Sequence, residues 1–339
     1  MRLGIISASV LPFLVLSSIS RQTSAADATT TIVPVESWSC LFGGQETNLH
    51  FRILKLKADP LVEGQIRWHY SANQRTLDRG EFQIGRNDRT LAEITLQIPE
   101  VRPGVIFKTE LTVAYVPRGG NAETASVSKT LWLFPEDPFA GQRVALKKRE
   151  LALFDPDSQT AELFEKIELP HRRLRSIASL NNPTENAFLI VGEGASLTRN
   201  RGAAEQLMSY AAAGGTVLML APSEGTIPLP EEAVDRRPGE LRFCRHDVIR
   251  EFDKRLDSKF LPGTNDFAGS KVSFRTRLNR IGMQISEDGD WPWFTIEYPE
   301  TKGRFIFCGF SLIKHWNNGP TPRFLLHRIL TAQVDRSSP

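Results

Sequence analysis

Long apolar runs, cysteine and excess charge are all scarce in this chain of 339 residues. The single extended apolar stretch, Leu3 to Leu16, falls short of the ~20 residues a membrane-spanning helix needs. Arg2 precedes it and the small residues Thr23, Ser24, Ala25 and Ala26 follow, a pattern that predicts a secretory signal peptide over residues 1–26. An uncleaved signal anchor is the alternative. No cysteine follows the run closely, which argues against a lipid anchor, so the mature chain is expected to be secreted or periplasmic and free of the membrane. Three cysteines, Cys40, Cys244 and Cys308, are too few to staple a chain of this size, and their spacing matches no zinc site. An odd count leaves at least one unpaired. Cys40 ends an alternating run and Cys308 sits inside FIFCGF, so both read as small buried hydrophobes, with a Cys244–Cys308 bridge as the alternative. Charge is nearly balanced, 42 basic against 39 acidic residues, so no anionic polymer is required as a partner. The basic clusters Lys147, Lys148, Arg149 and His171, Arg172, Arg173, Arg175 are short, lack interleaved aromatics and read as solvated surface. Nucleic-acid binding is therefore not expected.

What is abundant is periodicity, and it changes along the chain. From Thr31 to Phe134 apolar and polar residues alternate in about seven runs, IVPVESWSC, LHFRILKLKA, QIRWHYSA, EFQIG, LAEITLQIP, VIFKTELTVAYVP and ASVSKTLWLFP. Their spacing predicts an antiparallel β-sandwich over residues 27–136. Gly80 is expected in a tight turn with Asp78 and Arg79, and Trp68 in the core. The stretch GQIRWHYSANQRTLDRGEFQI, with the later LWLFPEDPF, resembles the immunoglobulin-like sandwich found in large multidomain glycoside hydrolases.

PEDPFAGQ, rich in turn formers, reads as a linker. Beyond it, over residues 143–334, strands alternate with helices. ELALFDP is a strand, and Asp157 or Ser158 caps the helix TAELFEKIE. AFLIVGEG is a second strand, a helix over about 199–213 ends at Gly214 and Gly215, and TVLMLA is a third strand. WFTIEYPETKGRFIFCGF reads as a strand pair and RFLLHRILTA as a closing amphipathic helix. This pattern predicts an α/β unit with a mostly parallel sheet and helices on both faces. GEGAS lacks the spacing of a dinucleotide fingerprint, and no cofactor is expected.

AFLIVGEG, the helix ending AAAGGTVLMLAP, and ETKGRFIFCGFSLIKHW followed by TPRFLLHRIL together resemble the class I glutamine amidotransferase-like fold. The likeness spans residues 149 to 334 and is closest to noncatalytic versions attached to secreted glycoside hydrolases. Active members carry a cysteine in the strained turn after a strand, activated by a histidine paired with a glutamate. The corresponding turn here reads Ala221, Pro222, Ser223, Glu224, Gly225, and neither Ala221 nor Pro222 can attack a carbonyl.

Two kinds of residue remain as candidates. Ser223 with His315 and Glu193 is the one conceivable nucleophilic set. Asp155, Asp157, Glu193, Ser196, Ser223, Glu224 and Ser311 fall at the carboxyl ends of the predicted strands, where ligands of open α/β sheets bind, although helix caps and solvated loops also account for Asp157 and Glu224. In SEDGDWPW, acids flank Trp291 and Trp293, a combination suited to sugars or simply an acidic turn leading into core tryptophans. No metal constellation is visible. The resulting expectation is a noncatalytic binding or assembly protein with carbohydrate or other envelope proteins as partners. A hydrolase using crest carboxylates or Ser223, and an oligomerising envelope component, are the alternatives.

Overall fold

The computed structural model describes residues 30–332 apart from 56–62, 85–90, 120–122, 181–182, 184–186, 230–237, 259–266 and 278–279. The expected signal peptide lies outside the described residues. Among them no helix is long and apolar enough to cross a membrane. The chain is rich in strand, with antiparallel and mixed sheets.

The first eight strands are β1 (Thr30–Pro34), β2 (Cys40–Phe42), β3 (Glu46–Lys55), β4 (Gly64–Ala72), β5 (Arg75–Ile84), β6 (Leu91–Gln97), β7 (Phe107–Pro117) and β8 (Ala125–Phe134). They form a three-stranded sheet, β1-β3-β6, and a five-stranded sheet, β2-β8-β7-β4-β5. Alternation places the core, because successive strand side chains point to opposite faces. In β6, Ala92, Ile94 and Leu96 are buried while Leu91, Glu93, Thr95 and Gln97 face solvent. The inward residues of both sheets meet in one cluster, Leu49, Phe51, Ile53, Ile94 and Leu96 against Ile66, Tyr70, Leu111, Val113 and Leu131. Each contributes on the order of 1.5–3 kcal/mol by leaving water. The two sheets therefore pack face to face as a β-sandwich.

Two expectations for this half need correcting. The first run divides into β1 and β2, which gives eight strands, and β2 pairs parallel to β8. The tight turn falls at Asn73 and Gln74, which adopt positive φ of 46° and 68°, and β5 already includes Asp78, Arg79 and Gly80. Gly80 lies opposite Trp68 in the β4–β5 register, and a Cβ there would sit 2.7 Å from the indole ring. Close approach of an aromatic, rather than a turn, is what requires glycine at this position.

The rest of the chain contributes α1 (Arg143–Lys148), β9 (Leu151–Phe154), α2 (Gln159–Lys166), β10 (Arg172–Leu174), β11 (Phe188–Val191), α3 (Ala203–Ala212), β12 (Thr216–Leu220), β13 (Gly225–Pro228), β14 (Glu240–Cys244), α4 (Val248–Phe252), β15 (Lys271–Arg277), β16 (Arg280–Ser286), β17 (Trp293–Tyr298), β18 (Gly303–Cys308) and α5 (Pro320–Thr331). Seven strands form a mixed sheet ordered β10-β9-β11-β12-β18-β17-β14, parallel from β10 through β18 and antiparallel thereafter. The central strands β9, β11, β12 and β18 are buried on both faces, which is why they read as continuous apolar runs, whereas the edge strands β10 and β14 are largely exposed. Ile190, Leu218, Leu220 and Ile306 pack with Phe164 of α2 and Leu325 of α5, while Leu189, Val217, Met219 and Phe305 pack with Leu207 and Met208 of α3. A small sheet, β13-β16-β15, closes the second face through Ile227, Val272 and Met283, and the apolar periodicity did not reveal it.

The cap of α2 also differs from expectation. Ser158 occupies the N-cap with φ 63° and makes no capping bond. Asp155 does the work instead, accepting the Ala161 N–H at 2.8 Å.

A single apolar cluster joins Cys40, Phe42 and Phe134 of the sandwich strands to Phe324, Leu325 and Leu330 of α5. The rings of Phe134 and Phe324 lie 4.7 Å apart, and the Arg323 guanidinium stacks 4.3 Å from the Phe42 ring. Asp257 fastens the same joint, with Oδ1 accepting the Ser39 N–H and hydroxyl at 2.9 Å each and Oδ2 the Cys40 N–H at 3.0 Å and thiol at 2.7 Å. The segment 135–142, expected as a linker, is itself packed: Phe139 is fully buried, its ring 5.5 Å from that of His327. All three cysteines are buried and free. Cys244 and Cys308 flank Trp293 from opposite sides in the register β14-β17-β18, so two strand spacings of ~4.8 Å separate their backbones and a bridge is out of reach.

Candidate functional site

The carboxyl ends of β9, β11, β12 and β18 bring Asp155, Glu193, Ala221 and Ser311 to one rim of the seven-stranded sheet. Gly192 makes this convergence possible: a Cβ there would stand 2.4 Å from Asp155 Oδ1. Asp155 is buried, with Oδ2 bound to the N-terminus of α2 and Oδ1 without a hydrogen-bond partner among the described residues, and burial pushes its carboxyl up from the usual range. Glu193 accepts the backbone N–H of Ile313 at 2.7 Å and of Lys314 at 3.2 Å. Burial pushes Glu193 up to about 7, against the opposing pull of these two donors and the Lys314 charge. Its own N–H donates to the hydroxyl of the fully buried Thr160 at 2.9 Å.

The neighbouring candidates are also engaged in structural bonds. Glu224 Oε1 accepts the Ser196 hydroxyl at 2.6 Å, tying the loop after β12 to the loop after β11. Asp157 faces Arg199 at 3.8 Å. Ser311 is buried, and its hydroxyl lies where a Cβ on Gly269 would have to go.

The structure does not assemble Ser223, His315 and Glu193 into a nucleophilic set. No hydrogen bond links any two of them among the described residues; Ser223 is exposed and donates its N–H to Ala195 O at 3.2 Å. His315 sets its ring edge-on to Phe267 at 6.2 Å, and burial, with Lys314 beside it, pushes its imidazole down from the ordinary value. Glu193 reaches this loop at the backbone of Ile313 and Lys314 and leaves the His315 ring alone.

Ala221 follows β12 directly and holds a positive φ of 20°. Its N–H donates to Cys308 O at 2.6 Å and its carbonyl accepts from Gly194 at 3.0 Å. A non-glycine residue at positive φ stores backbone strain that its surroundings must hold in place.

The SEDGDWPW segment divides by depth. Trp293 is a core residue, stacked at 6.5 Å on Phe310, and Trp291 is half-buried with Arg245 over its ring at 5.3 Å. Glu287, Asp288 and Asp290 are exposed on the connection before β17. Phe274, in contact with Phe243 at 5.1 Å, adds an exposed ring beside Trp291 that sequence reasoning did not single out. Thr160 and Gly192 were likewise missed, since neither residue type signals a rim position without knowledge of strand order.

No protein-family model matches the chain, and no curated protein matches it. Among solved structures, a cycloisomaltooligosaccharide glucanotransferase of Paenibacillus sp. aligns over 76% of this chain and 34% of its own, at 7% identity and a TM-score of 0.27. A glycosyl hydrolase family 2 member from Bacteroides cellulosilyticus aligns over 57% of this chain and 36% of its own, at 7% identity and a TM-score of 0.20. A superoxide reductase from Ignicoccus hospitalis aligns over 32% of this chain and 83% of its own, at 12% identity and a TM-score of 0.24. At such scores none of them transfers an activity.

Proposed function

We propose that this chain is a noncatalytic extracytoplasmic protein of binding or assembly, built from an immunoglobulin-like sandwich followed by a glutamine amidotransferase-like α/β unit without a nucleophile. The observation that carries this reading is Ala221. It stands in a strained turn after a central parallel strand, where an active member would present a thiol, and its methyl group offers no chemistry. The rim around it supports the same reading, because Glu193, Glu224 and Ser196 are held by backbone or by one another rather than directed at an open site. The expected setting is carbohydrate-related, with glycans or other envelope proteins as partners.

Purified chain assayed against glutamine, aryl esters and aryl glycosides should show no turnover above that of the Ser223→Ala variant. Ester or amide hydrolysis lost in Ser223→Ala or His315→Ala would overturn the proposal. The rival reading, a hydrolase with Glu193 as general acid, is favoured by the elevated protonation range of that carboxyl. Glycoside turnover abolished by Glu193→Gln in a folded variant would establish it instead.

A further inference from the structure

We infer that the chain binds a small organic oxyanion, a sulfated or carboxylated sugar unit, in a cleft beside the first turn of α3. The cleft has a volume of about 160 Å³ and is lined by Arg175, Ser176, Asn200, Arg201 and Gln206 together with the buried Phe154. It opens where strand order reverses. From β9 the chain passes outward to β10 and then returns across β9 to β11, the kind of crossing point at which open sheets bind ligands beyond their carboxyl ends.

The arginines supply the chemistry. Arg173 and Arg199 nearby are engaged, with Ser158 and Glu165 for the first and Asp157 for the second. Arg175 and Arg201 face no carboxylate among the described residues, and both line the cleft, one from the stretch after β10 and the other from the stretch before α3. Two arginines lining one small volume give it a positive field that suits an oxyanion and disfavours a cation. Asn200 uses one side-chain donor on Ser196 O at 2.8 Å, and its remaining amide hydrogen and Gln206 can bind hydroxyls or further oxygens.

The body of the ligand has a place as well. A second groove of about 410 Å³ shares Ile177, Ala178 and Gln206 with the cleft and runs on past Tyr210 and Leu180. That volume lies within the ~300–1,000 Å³ of small-molecule sites; Leu180, Pro183 and Tyr210 offer surface for sugar C–H faces, Gln206 and Ser209 can bond hydroxyls, and Glu205 requires the ligand's charged group to stay at the arginine end. This inference is independent of whether the Ala221 turn is catalytic, because it uses none of the same residues.

Calorimetric titration at low ionic strength with a sulfated monosaccharide, a uronic acid, inorganic sulfate and the uncharged monosaccharide tests the proposal. The two acidic sugars should bind saturably and more tightly than inorganic sulfate, and the uncharged sugar should not bind measurably. Arg175→Ala and Arg201→Ala, both at exposed side chains, should each weaken binding roughly tenfold while the folded spectrum stays unchanged. Acidic sugars that bind no better than chloride at equal ionic strength, affinity unchanged in both variants, or inorganic sulfate binding as tightly as the acidic sugars, would each overturn it.

Discussion

Asp253 and Glu193 are equally buried, each 7% exposed, yet their carboxyls shift in opposite directions. Burial alone would push Asp253 up, but Arg255, through its side chain and its N–H, and Arg328 hold it down to about 2. Glu193 has two backbone amides and a nearby lysine, and it rises to about 7. The difference shows what a buried carboxylate needs. Guanidinium groups in contact offset the loss of hydration, whereas the two amides of the turn after β18 offset it only in part.

Removing the charge should therefore cost much more at one site than at the other. Asp253→Asn leaves Arg255 and Arg328 without their carboxylate and should cost about 2–4 kcal/mol in urea unfolding at pH 7, tempered by the partial exposure of both arginines. Glu193→Gln should stay within about 1 kcal/mol under the same conditions, because the native group is already partly protonated there. Equal losses at the two sites would break the comparison.

Dependence on pH sharpens it at a smaller scale. Glu193 has a folded pKa raised from 4.5 to about 7, so its contribution is fully present below 4.5 and is lost as pH rises through 7. His327 behaves in the opposite sense. Burial, with Arg328 adding to it and Asp137 opposing, pushes its imidazole down to about 4, and neither ring nitrogen has a hydrogen-bond partner among the described residues. Its contribution is present above 6.5 and is lost as pH falls toward 4. The two slopes oppose each other between about pH 4.5 and 6.5, so this pair adds little net pH dependence there. His327→Leu should expose the falling limb and Glu193→Gln the rising one, each by roughly 1–2 kcal/mol in chemical denaturation across that window. Parallel pH profiles for the two variants would contradict the assignment.

The smallest effect concerns the thiols. Burial pushes Cys308 and Cys40 well up from the usual thiol range, and Cys244 up as well. Native protein should consequently react with almost no Ellman's reagent until denatured. Rapid labelling of Cys308 in the folded chain would show an open rim.

The strands were legible in the sequence wherever one face is wet. Alternation in LAEITLQIP and ASVSKTLWLFP marks β6 and β8 closely, and continuous runs such as AFLIV and TVLML mark strands covered on both sides. The small sheet β13-β16-β15 was not legible, because β13 is short and lies far from its partner β16 in sequence, and β15 is strongly basic. Candidate residues were placed well on the rim and poorly with respect to one another. Asp155, Glu193, Ser196 and Glu224 do reach it, but their partners are backbone amides and hydroxyls contributed by loops that only strand order brings near. Arg175 is exposed, as its reading as solvated surface expected, and that it lines a cleft together with Arg201, 26 residues further along, was not legible.

The bonds that Asp257 makes to Ser39 and Cys40 alter how the chain would bear a pull. Only β1 precedes that attachment among the described residues, so tension applied at the N-terminal end would meet the far half of the molecule almost at once, by a route that bypasses β3 through β8. The covalent path through residues 135–142 then runs in parallel with a second, noncovalent one. A single backbone cut between 135 and 142 would leave the two halves riveted together at Asp257 and along the Phe134–Phe324 seam, a two-point suspension rather than beads on a string.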